Sequence, residues 1–328
     1  MSEQAPKKLK VGIILTPVED RGHGSTPSWA ELRDMARVAD EVGFSSIWIS
    51  DHLIHIFPDL PPYGIWECWS LVSALAATTS RVHIGTWVMS TGFRNPALLA
   101  KMAETADEIS GGRIILGVGA GWHEPEYRAF GFPYEPRVGR FEEAIRIIHG
   151  LLHDGRIDFA GKFYEAHDCE LRPRGPRPEG PPIMIGTIAG TPLARRLEVA
   201  SRSERMLNLV ARYADIWNCP WINRASDIPA AREMVDEACR AIARDPATLA
   251  RTNGVMVNLE GWRKAPGNDA IRIPRADLVP IEGSLDEIGE QLRGFEDEGV
   301  DEIHVQLDPE TPESIERFAR VLELLDRE

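Results

Sequence analysis

Short runs of apolar, largely β-branched residues alternate along this chain with longer stretches in which apolar residues recur every three to four positions. The short runs have the length of buried strands, and the longer stretches have the spacing of helices with one apolar face. The predicted strands are Val11–Thr16, Ser46–Ser50, Val82–Met89, Arg113–Val118, Ile183–Gly186, Asp215–Asn218, Gly254–Leu259 and Glu302–Leu307. The predicted helices are Ser28–Val42, Pro96–Ile109, Arg140–Leu152, Ile228–Ala243, Leu285–Glu298 and Pro312–Leu325.

This alternation predicts an α/β protein with a parallel sheet, and eight is the number of strands that closes into a (β/α)8 TIM barrel. A doubly wound open sheet is the alternative. No Gly-x-Gly-x-x-Gly follows the first strand, which disfavours the dinucleotide-binding form of that alternative. A length of 328 residues suits one barrel, and we expect residues 1–328 to form a single domain.

Three segments interrupt the regular alternation. Residues 51–66 follow the second strand, residues 119–136 follow the fourth, and residues 157–172 alternate like a hairpin before the Pro- and Gly-rich stretch 173–182. In a barrel, the loops at the carboxyl ends of the strands build the active site. We therefore expect insertions at these strand ends to form the rim of a substrate pocket.

Composition narrows the class of protein. Hydrophobic residues make up 43% and charged residues 27%, which is typical of a globular protein. No run of about 18 apolar residues is present, and the polar first ten residues lack a signal-peptide core, so we expect a cytoplasmic protein with no membrane partner. The net charge of −14 disfavours nucleic-acid binding. Four widely spaced cysteines without a CxxC pattern indicate reduced thiols.

The second predicted strand ends in Asp51 and His52, where apolar residues give way to an acid and an imidazole. Histidine exchanges a proton near neutral pH, and an adjacent carboxylate can tune it. A turn cap and an ordinary polar rim residue explain the same pair equally well. His55 completes an Asp-His-x-x-His pattern, but the other strand ends supply no full ligand set, so we predict no metal site.

Three further motifs lie at predicted strand ends or helix starts. Residues 86–91 carry short hydroxyl side chains after the third strand. Residues 117–122 alternate glycine after the fourth strand, which permits close approach of a flat ligand, although tight turning explains such a run as well. Residues 201–203 precede a helical pattern, where Ser203 and Glu204 fit either an anion-attracting helix N-terminus or simple capping.

Taken together and in this order, the motifs resemble the bacterial luciferase-like monooxygenase superfamily, including its coenzyme F420-dependent oxidoreductases. The resemblance extends to Asn218 and is looser afterwards. The segments that carry it are Arg94–Pro96, Ile109–Arg113, Leu116–Trp122, Glu126–Gly131, Arg140–Glu143, Phe159–Tyr164 and Ala211–Asp215.

In relatives of this kind the flavin or deazaflavin ring lies across the C-terminal mouth of the barrel. The resemblance implies that Asp51 and His52 are catalytic residues beside that ring, and that a non-prolyl cis peptide joins Trp87 to Val88 beneath it. The implied cofactor-binding residues are Asp51, Thr86, Trp87, Val88, Ser90, Gly119, Ala120, Gly121, Gly186, Ser201, Arg202 and Ser203. Residues 187–200 look inserted, which leaves both Gly186-Thr187 and residues 201–203 as candidates to hold the cofactor phosphate.

The leading hypothesis is F420-dependent hydride transfer to or from a small organic substrate, with His52 exchanging the proton and Asp51 orienting His52. Trp122 stands where sugar-phosphate dehydrogenases of the family have an acid, which argues against the same substrate, although nearby Glu124 offers a replacement. The residues expected to line the substrate pocket are Trp66, Trp122, Glu124, Tyr127 and Trp221.

Three alternatives remain at this point. They are a two-component monooxygenase that uses reduced FMN, a flavin-binding protein without turnover, and a metal-dependent hydrolase. From the resemblance we also expect a homodimer and a separate flavin or F420 reductase as a partner.

Overall fold

Eight parallel strands form a closed barrel in the computed structural model, which describes residues 8–19, 26–58, 61–188, 200–259 and 279–326. Each strand pairs with the next, and the eighth pairs with the first, so the sheet has no free edge. The predicted (β/α)8 barrel is therefore confirmed, and the open sheet is excluded. The barrel strands are β1 (Lys10–Leu15), β2 (Ser46–Ile49), β3 (His83–Thr86), β4 (Ile114–Gly119), β5 (Ile183–Gly186), β6 (Ile216–Pro220), β7 (Ala250–Leu259) and β8 (Glu302–Asp308).

Helices cover the outside of the barrel. Ser28 and Glu31 form a capping box at the start of the first helix, and Asn95 caps the third. None of the described helices has both the length and the apolar character to span a bilayer. The described α-helices are α1 (Trp29–Val42), α2 (Cys68–Thr78), α3 (Pro96–Ser110), α4 (Glu124–Phe130), α5 (Arg137–His149), α6 (Ala200–Tyr213), α7 (Ile228–Ala241), α8 (Leu285–Asp297) and α9 (Pro312–Asp326).

Some boundaries differ from the predictions. Helix α2 was not predicted because it is apolar almost all round, so it shows no polar face to reveal the helical period. Strand β7 begins at Ala250 rather than Gly254. The polar residues Thr252 and Asn253 belong to the strand because both are buried and hydrogen-bonded, Thr252 to the Asn218 side chain and Asn253 to the Ile222 carbonyl. The predicted hairpin is confirmed by antiparallel strands at Arg156–Ala160 and Glu165–Glu170.

The interior of the barrel is packed with side chains. Trp48 is fully buried there, together with Ile14, Ile115, Met184 and Trp221. The glycines at positions 12 and 85 make room for Trp48, since a Cβ at either position would overlap its indole ring. Trp87 and Val88, which follow β3 at the C-terminal end of the barrel, pack against this cluster.

A buried polar network lies at the base of the barrel. Glu302 accepts hydrogen bonds from the hydroxyls of Ser45 (2.5 Å) and Ser46 (2.6 Å), and His304 Nε2 is 3.6 Å from its carboxylate. Burial works to raise the pKa of Glu302, but His304 and the two hydroxyls outweigh it and hold the pKa at about 2. His304 Nδ1 in turn accepts from Trp87 Nε1 at 3.0 Å, which connects the network to the mouth.

Candidate active site

The residues predicted to form the site meet at the carboxyl ends of neighbouring barrel strands. Asp51 and His52 follow β2, residues 87–90 follow β3, and Gly119 ends β4. The pairing of β2 with β3 and of β3 with β4 makes these strand ends neighbours. The expectation that the C-terminal mouth gathers the predicted motifs is confirmed for these residues.

Asp51 is buried in an ion pair. Arg94 donates to both of its carboxylate oxygens, at 2.8 and 3.0 Å, and the backbone N–H of Ser90 donates to one of them at 2.9 Å. Burial works to lower the pKa of Arg94, but Asp51 and the contacting Glu67 carboxylate outweigh it and raise that pKa. Arg94 therefore stays charged, and Asp51 ties the ends of β2 and β3 to the start of α3.

His52 has a different partner. Its Nδ1 lies 2.9 Å from Oε1 of Glu126, and the backbone N–H of Leu53 donates to Oε2 of the same carboxylate at 2.9 Å. Glu126 is 2% exposed, whereas the side chain of His52 is 17% exposed. The expectation that Asp51 orients His52 is thus corrected: Arg94 engages Asp51, and Glu126 holds the imidazole.

Glu124, expected from the sequence to replace the acid missing at position 122, does not contact His52 in the structure, whereas Glu126, which was not predicted as a site residue, does. Both lie in the short helix α4, but Glu124 is exposed at its first position, while Glu126 is buried toward β2. Residues two apart in a helix point to nearly opposite sides. In the sequence, Glu126 stands out only as the first residue of one of the segments that carry the family resemblance. That position does not indicate that its side chain contacts His52.

Aromatic rings and histidines surround His52. The ring of His55 lies 4.5 Å from that of His52, and Trp122 approaches His52 edge-on at 5.5 Å. His123 Nε2 accepts from the backbone N–H of Ile56 at 3.0 Å, and burial lowers the pKa of His123 although Glu126 opposes the shift. Within the described ranges, no group of three or more histidine, cysteine, aspartate or glutamate side chains is arranged to hold a metal ion.

A half-buried surface made by Trp87 and Val88, here termed the platform, lies at the top of the barrel interior. The predicted cis peptide between these two residues is confirmed. The indole of Trp87 is held from below by His304 and packs perpendicular to Trp221 at 4.8 Å. Val88 is supported by glycines, because a Cβ on Gly119 or Gly186 would come within 3.0 or 2.9 Å of it.

At two glycines near the end of β4, other atoms of the protein occupy the space that a side chain would need. A Cβ on Gly117 would overlap the carbonyl oxygen of Thr86, and Gly121, at φ +74°, leaves space for the Tyr127 hydroxyl. The hydroxyl of Thr86 is buried and donates to the carbonyl of Gly117 at 2.7 Å. The interpretation of this run as a surface cleared for a flat ligand is therefore corrected for Gly117 and Gly121, whose space is occupied.

The predicted pocket residues fall into two groups. Trp66 and Trp122 are exposed, at 51% and 45%, and stand at the rim. Tyr127 and Trp221 are buried, at 1% and 7%, so they are core residues beneath the mouth rather than open pocket walls. The hydroxyl of Tyr127 contacts that of Ser90, and burial raises the pKa of Tyr127.

The two phosphate-binding candidates are only partly described. Gly186 ends β5, and the backbone N–H of Thr187 donates to the carbonyl of Asn218 at 3.1 Å. The side chains of residues 201–203, like all of residues 189–199, lie outside the described part of the chain. Because α6 is helical from Ala200, Ser203 and Glu204 lie within the helix rather than ahead of it. Which of the two turns holds a phosphate stays a prediction.

The arrangement suits a flat ring with a proton-exchanging group beside it. The platform offers an apolar, partly exposed surface after β3, and His52 follows the neighbouring strand β2 with the buried Glu126 carboxylate at its Nδ1. The platform can orient a ring, and His52 with Glu126 can transfer one proton. Oxidation or reduction of a substrate needs a bound cofactor.

Residues 9–260 match the family model described as luciferase-like monooxygenase. A glucose-6-phosphate dehydrogenase of Kineococcus radiotolerans, named as F420-dependent, is 37% identical over 169 residues, which span 49% of this chain and 47% of that relative. A phthiodiolone/phenolphthiodiolone dimycocerosates ketoreductase of Mycobacterium tuberculosis is 29% identical over 248 residues, spanning 69% of this chain and 60% of that relative. The chain thus covers about half to three-fifths of these curated relatives.

Two solved structures share the fold. One is an F420-dependent secondary alcohol dehydrogenase in complex with an F420-acetone adduct, with a TM-score of 0.77, 18% identity, and coverage of 98% of this chain and 100% of that one. The other is a monooxygenase from Streptomyces bottropensis, with a TM-score of 0.76, 21% identity, and coverage of 96% and 99%. With the family model matching most of its length, this chain belongs to the luciferase-like monooxygenase family.

Proposed function

We propose that this protein is an F420-dependent oxidoreductase that interconverts an alcohol and a carbonyl group of a small organic substrate. The observation that carries the proposal is that the platform of Trp87 and Val88 and the His52–Glu126 pair follow the neighbouring strands β3 and β2 at the same end of the barrel. Two of the relatives are named as F420-dependent, which supports the choice of F420. A secondary alcohol dehydrogenase and a ketoreductase among them support an alcohol and a carbonyl group as the reacting pair.

The platform, with Gly119 and Ala120 at the end of β4, is proposed to hold the cofactor ring, and Gly186-Thr187 or residues 201–203 are proposed to hold its phosphate. F420, when bound, supplies the acceptor or donor of hydride. Val88 cannot sink toward the barrel, because the strands beneath it approach closely at Gly119 and Gly186. The backbone at these two glycines would therefore limit how far a ring bound on the platform could sink toward the barrel.

His52 is proposed to exchange the proton. In the oxidative direction its imidazole takes the hydroxyl proton of the alcohol while the carbon–hydrogen bond gives up hydride, which leaves a carbonyl product and an imidazolium. In the reductive direction the imidazolium returns the proton to the forming alkoxide. The buried Glu126 carboxylate stabilises the imidazolium in both directions.

A paired titration tests the cofactor. The purified protein is titrated with F420 and, separately, with FMN, each oxidised and reduced, and binding is followed by fluorescence. Val88→Asp places a charge on the platform, and we expect it to weaken F420 binding about tenfold or more. Val279→Asp, at a position that is 56% exposed, serves as the control and should bind F420 like the wild type.

The titration separates the candidate functions. Tight binding of F420, followed by loss of its visible absorbance when secondary alcohols are added, supports the proposal. Tight FMN binding without F420 binding overturns it in favour of the reduced-FMN monooxygenase. Binding of F420 without turnover of any alcohol or ketone favours the non-catalytic flavin-binding protein. The homodimer and the separate reductase stay predictions that sedimentation and coupled assays would test.

A further inference from the structure

We infer that Glu126 is a positioning residue that fixes the tautomer of His52, so that Nε2 is the atom that exchanges the substrate proton. The inference deepens the proposed function and rests on it for the identity of the reaction. The arrangement of the two side chains, however, is a property of the free protein.

Both oxygens of Glu126 are engaged. Oε2 accepts from the backbone N–H of Leu53 at 2.9 Å, and Oε1 lies 2.9 Å from Nδ1 of His52. An ionised carboxylate only accepts hydrogen bonds, so Nδ1 must carry the hydrogen that it shares with Oε1. In the neutral imidazole the free lone pair is then on Nε2.

The surroundings leave this role to Glu126. Asp51, the neighbouring acid in the chain, is engaged by Arg94 and by the Ser90 N–H. His123 accepts from Ile56 and is oriented by that bond. Glu126 is buried behind the imidazole, whereas His52 retains 17% exposure, which leaves part of the ring open toward the mouth.

The Leu53 N–H makes one substitution diagnostic. In Glu126→Gln the side-chain oxygen must face this fixed backbone donor, because the amide NH2 would repel it. The NH2 group then faces Nδ1 of His52, which must accept, so the hydrogen moves to Nε2. The variant keeps the shape of the side chain and inverts the tautomer, which a purely structural role would not do.

The test is a 15N NMR spectrum of the histidine rings in the free protein, in alkaline buffer. The signals of His52 are assigned by their loss in His52→Gln. We expect the pattern of an Nδ1–H imidazole in the wild type and of an Nε2–H imidazole in Glu126→Gln. The matched control is Glu124→Gln, an exposed glutamate on the same helix, which should keep the wild-type pattern.

A second measurement follows alcohol oxidation with F420. Glu126→Gln should lower kcat about 100-fold while F420 affinity stays unchanged, and Glu126→Asp should recover part of the rate because its carboxylate still accepts. An Nε2–H pattern in the wild type, or an unaltered pattern in Glu126→Gln, overturns the inference. If the tautomer inverts but F420 does not bind, the inference stands and the proposed function fails.

Discussion

Asp51 and His52 are adjacent in the chain, yet they belong to two different networks. Asp51 points into the protein, where Arg94 and Ser90 occupy its carboxylate. His52 stays partly exposed and is held from behind by Glu126, which comes from a helix 74 residues further along the chain. The first network is a buried ion pair, in which burial raises the pKa of Asp51 and Arg94 opposes that shift, and the second joins the His52 imidazole to the Glu126 carboxylate.

The difference shows how one strand end serves both stability and chemistry. A buried ion pair costs desolvation and gives no freedom to exchange protons, so it fits a clamp. A partly exposed imidazole with a buried carboxylate behind it can gain and lose a proton without leaving its place. Each of the following predictions tests whether the two networks are as separate as the structure indicates.

The largest effect is expected for Arg94→Met, which leaves Asp51 buried without its cation. We expect a loss of about 3–5 kcal/mol in the free energy of unfolding, measured in urea. The double variant Arg94→Met with Asp51→Asn should recover part of the loss because no charge remains buried. Arg320→Met removes an exposed ion pair with Glu323 and should cost under about 1 kcal/mol; an equal loss in both would contradict the distinction.

Substitution of His52 should affect turnover rather than stability. We expect His52→Gln to lower kcat for alcohol oxidation about 100-fold or more, which corresponds to about 2.7 kcal/mol in activation free energy. The free energy of unfolding should change by less than about 1 kcal/mol, because the ring is at the surface of the mouth. A variant that keeps its rate would remove His52 from the chemistry, whereas a large loss in the free energy of unfolding would give His52 a structural role.

His123, which lies near His52, should make the stability of the protein depend on pH. Burial lowers the pKa of His123 below its ordinary 6.5, so the unfolded chain binds a proton that the folded chain resists. Stability should therefore be complete above about pH 6.5 and decline as the pH falls, by at most about 1.4 kcal/mol per pH unit from this group. Thermal melts of His123→Gln should show a shallower decline, while the exposed control His83→Gln should keep the wild-type slope.

The smallest effect on stability is expected for Trp122→Ala. The indole is 45% exposed, so its removal should cost about 1 kcal/mol or less. Because it flanks His52 at 5.5 Å, we expect KM for apolar alcohols to rise several-fold with kcat little changed. Trp66→Ala, at the other exposed rim position, is the comparison, and equal effects on KM would show that the contact with His52 has no special role.

Much of the fold could be predicted, and less of the site. Alternating apolar runs identified all eight barrel strands, because burial on both faces of a parallel sheet leaves a strong local pattern. Helix α2 was missed because small and apolar residues occupy nearly all of its sides, so no polar face reveals the helical period. The family resemblance correctly indicated the cis peptide at Trp87–Val88.

The pairings within the site depend on distance in the chain. No local sequence pattern indicates that Asp51 pairs with Arg94 instead of His52. Nor does one indicate that Glu126, and not Glu124, contacts the imidazole. Tyr127 was predicted to line the pocket because the sequence of an irregular segment does not show whether an aromatic side chain is buried or exposed. Its burial depends on space left at Gly92 and Gly121, which only the folded backbone shows.

The glycines beneath Val88 have a practical meaning for anyone redesigning this pocket. Gly119 and Gly186 both lie against Val88, so they decide how low Val88 sits. An alanine at either position would place a methyl group within about 3 Å of Val88, so Val88 would have to move. Substitution of these two glycines would therefore reshape the platform without adding any group to its exposed surface.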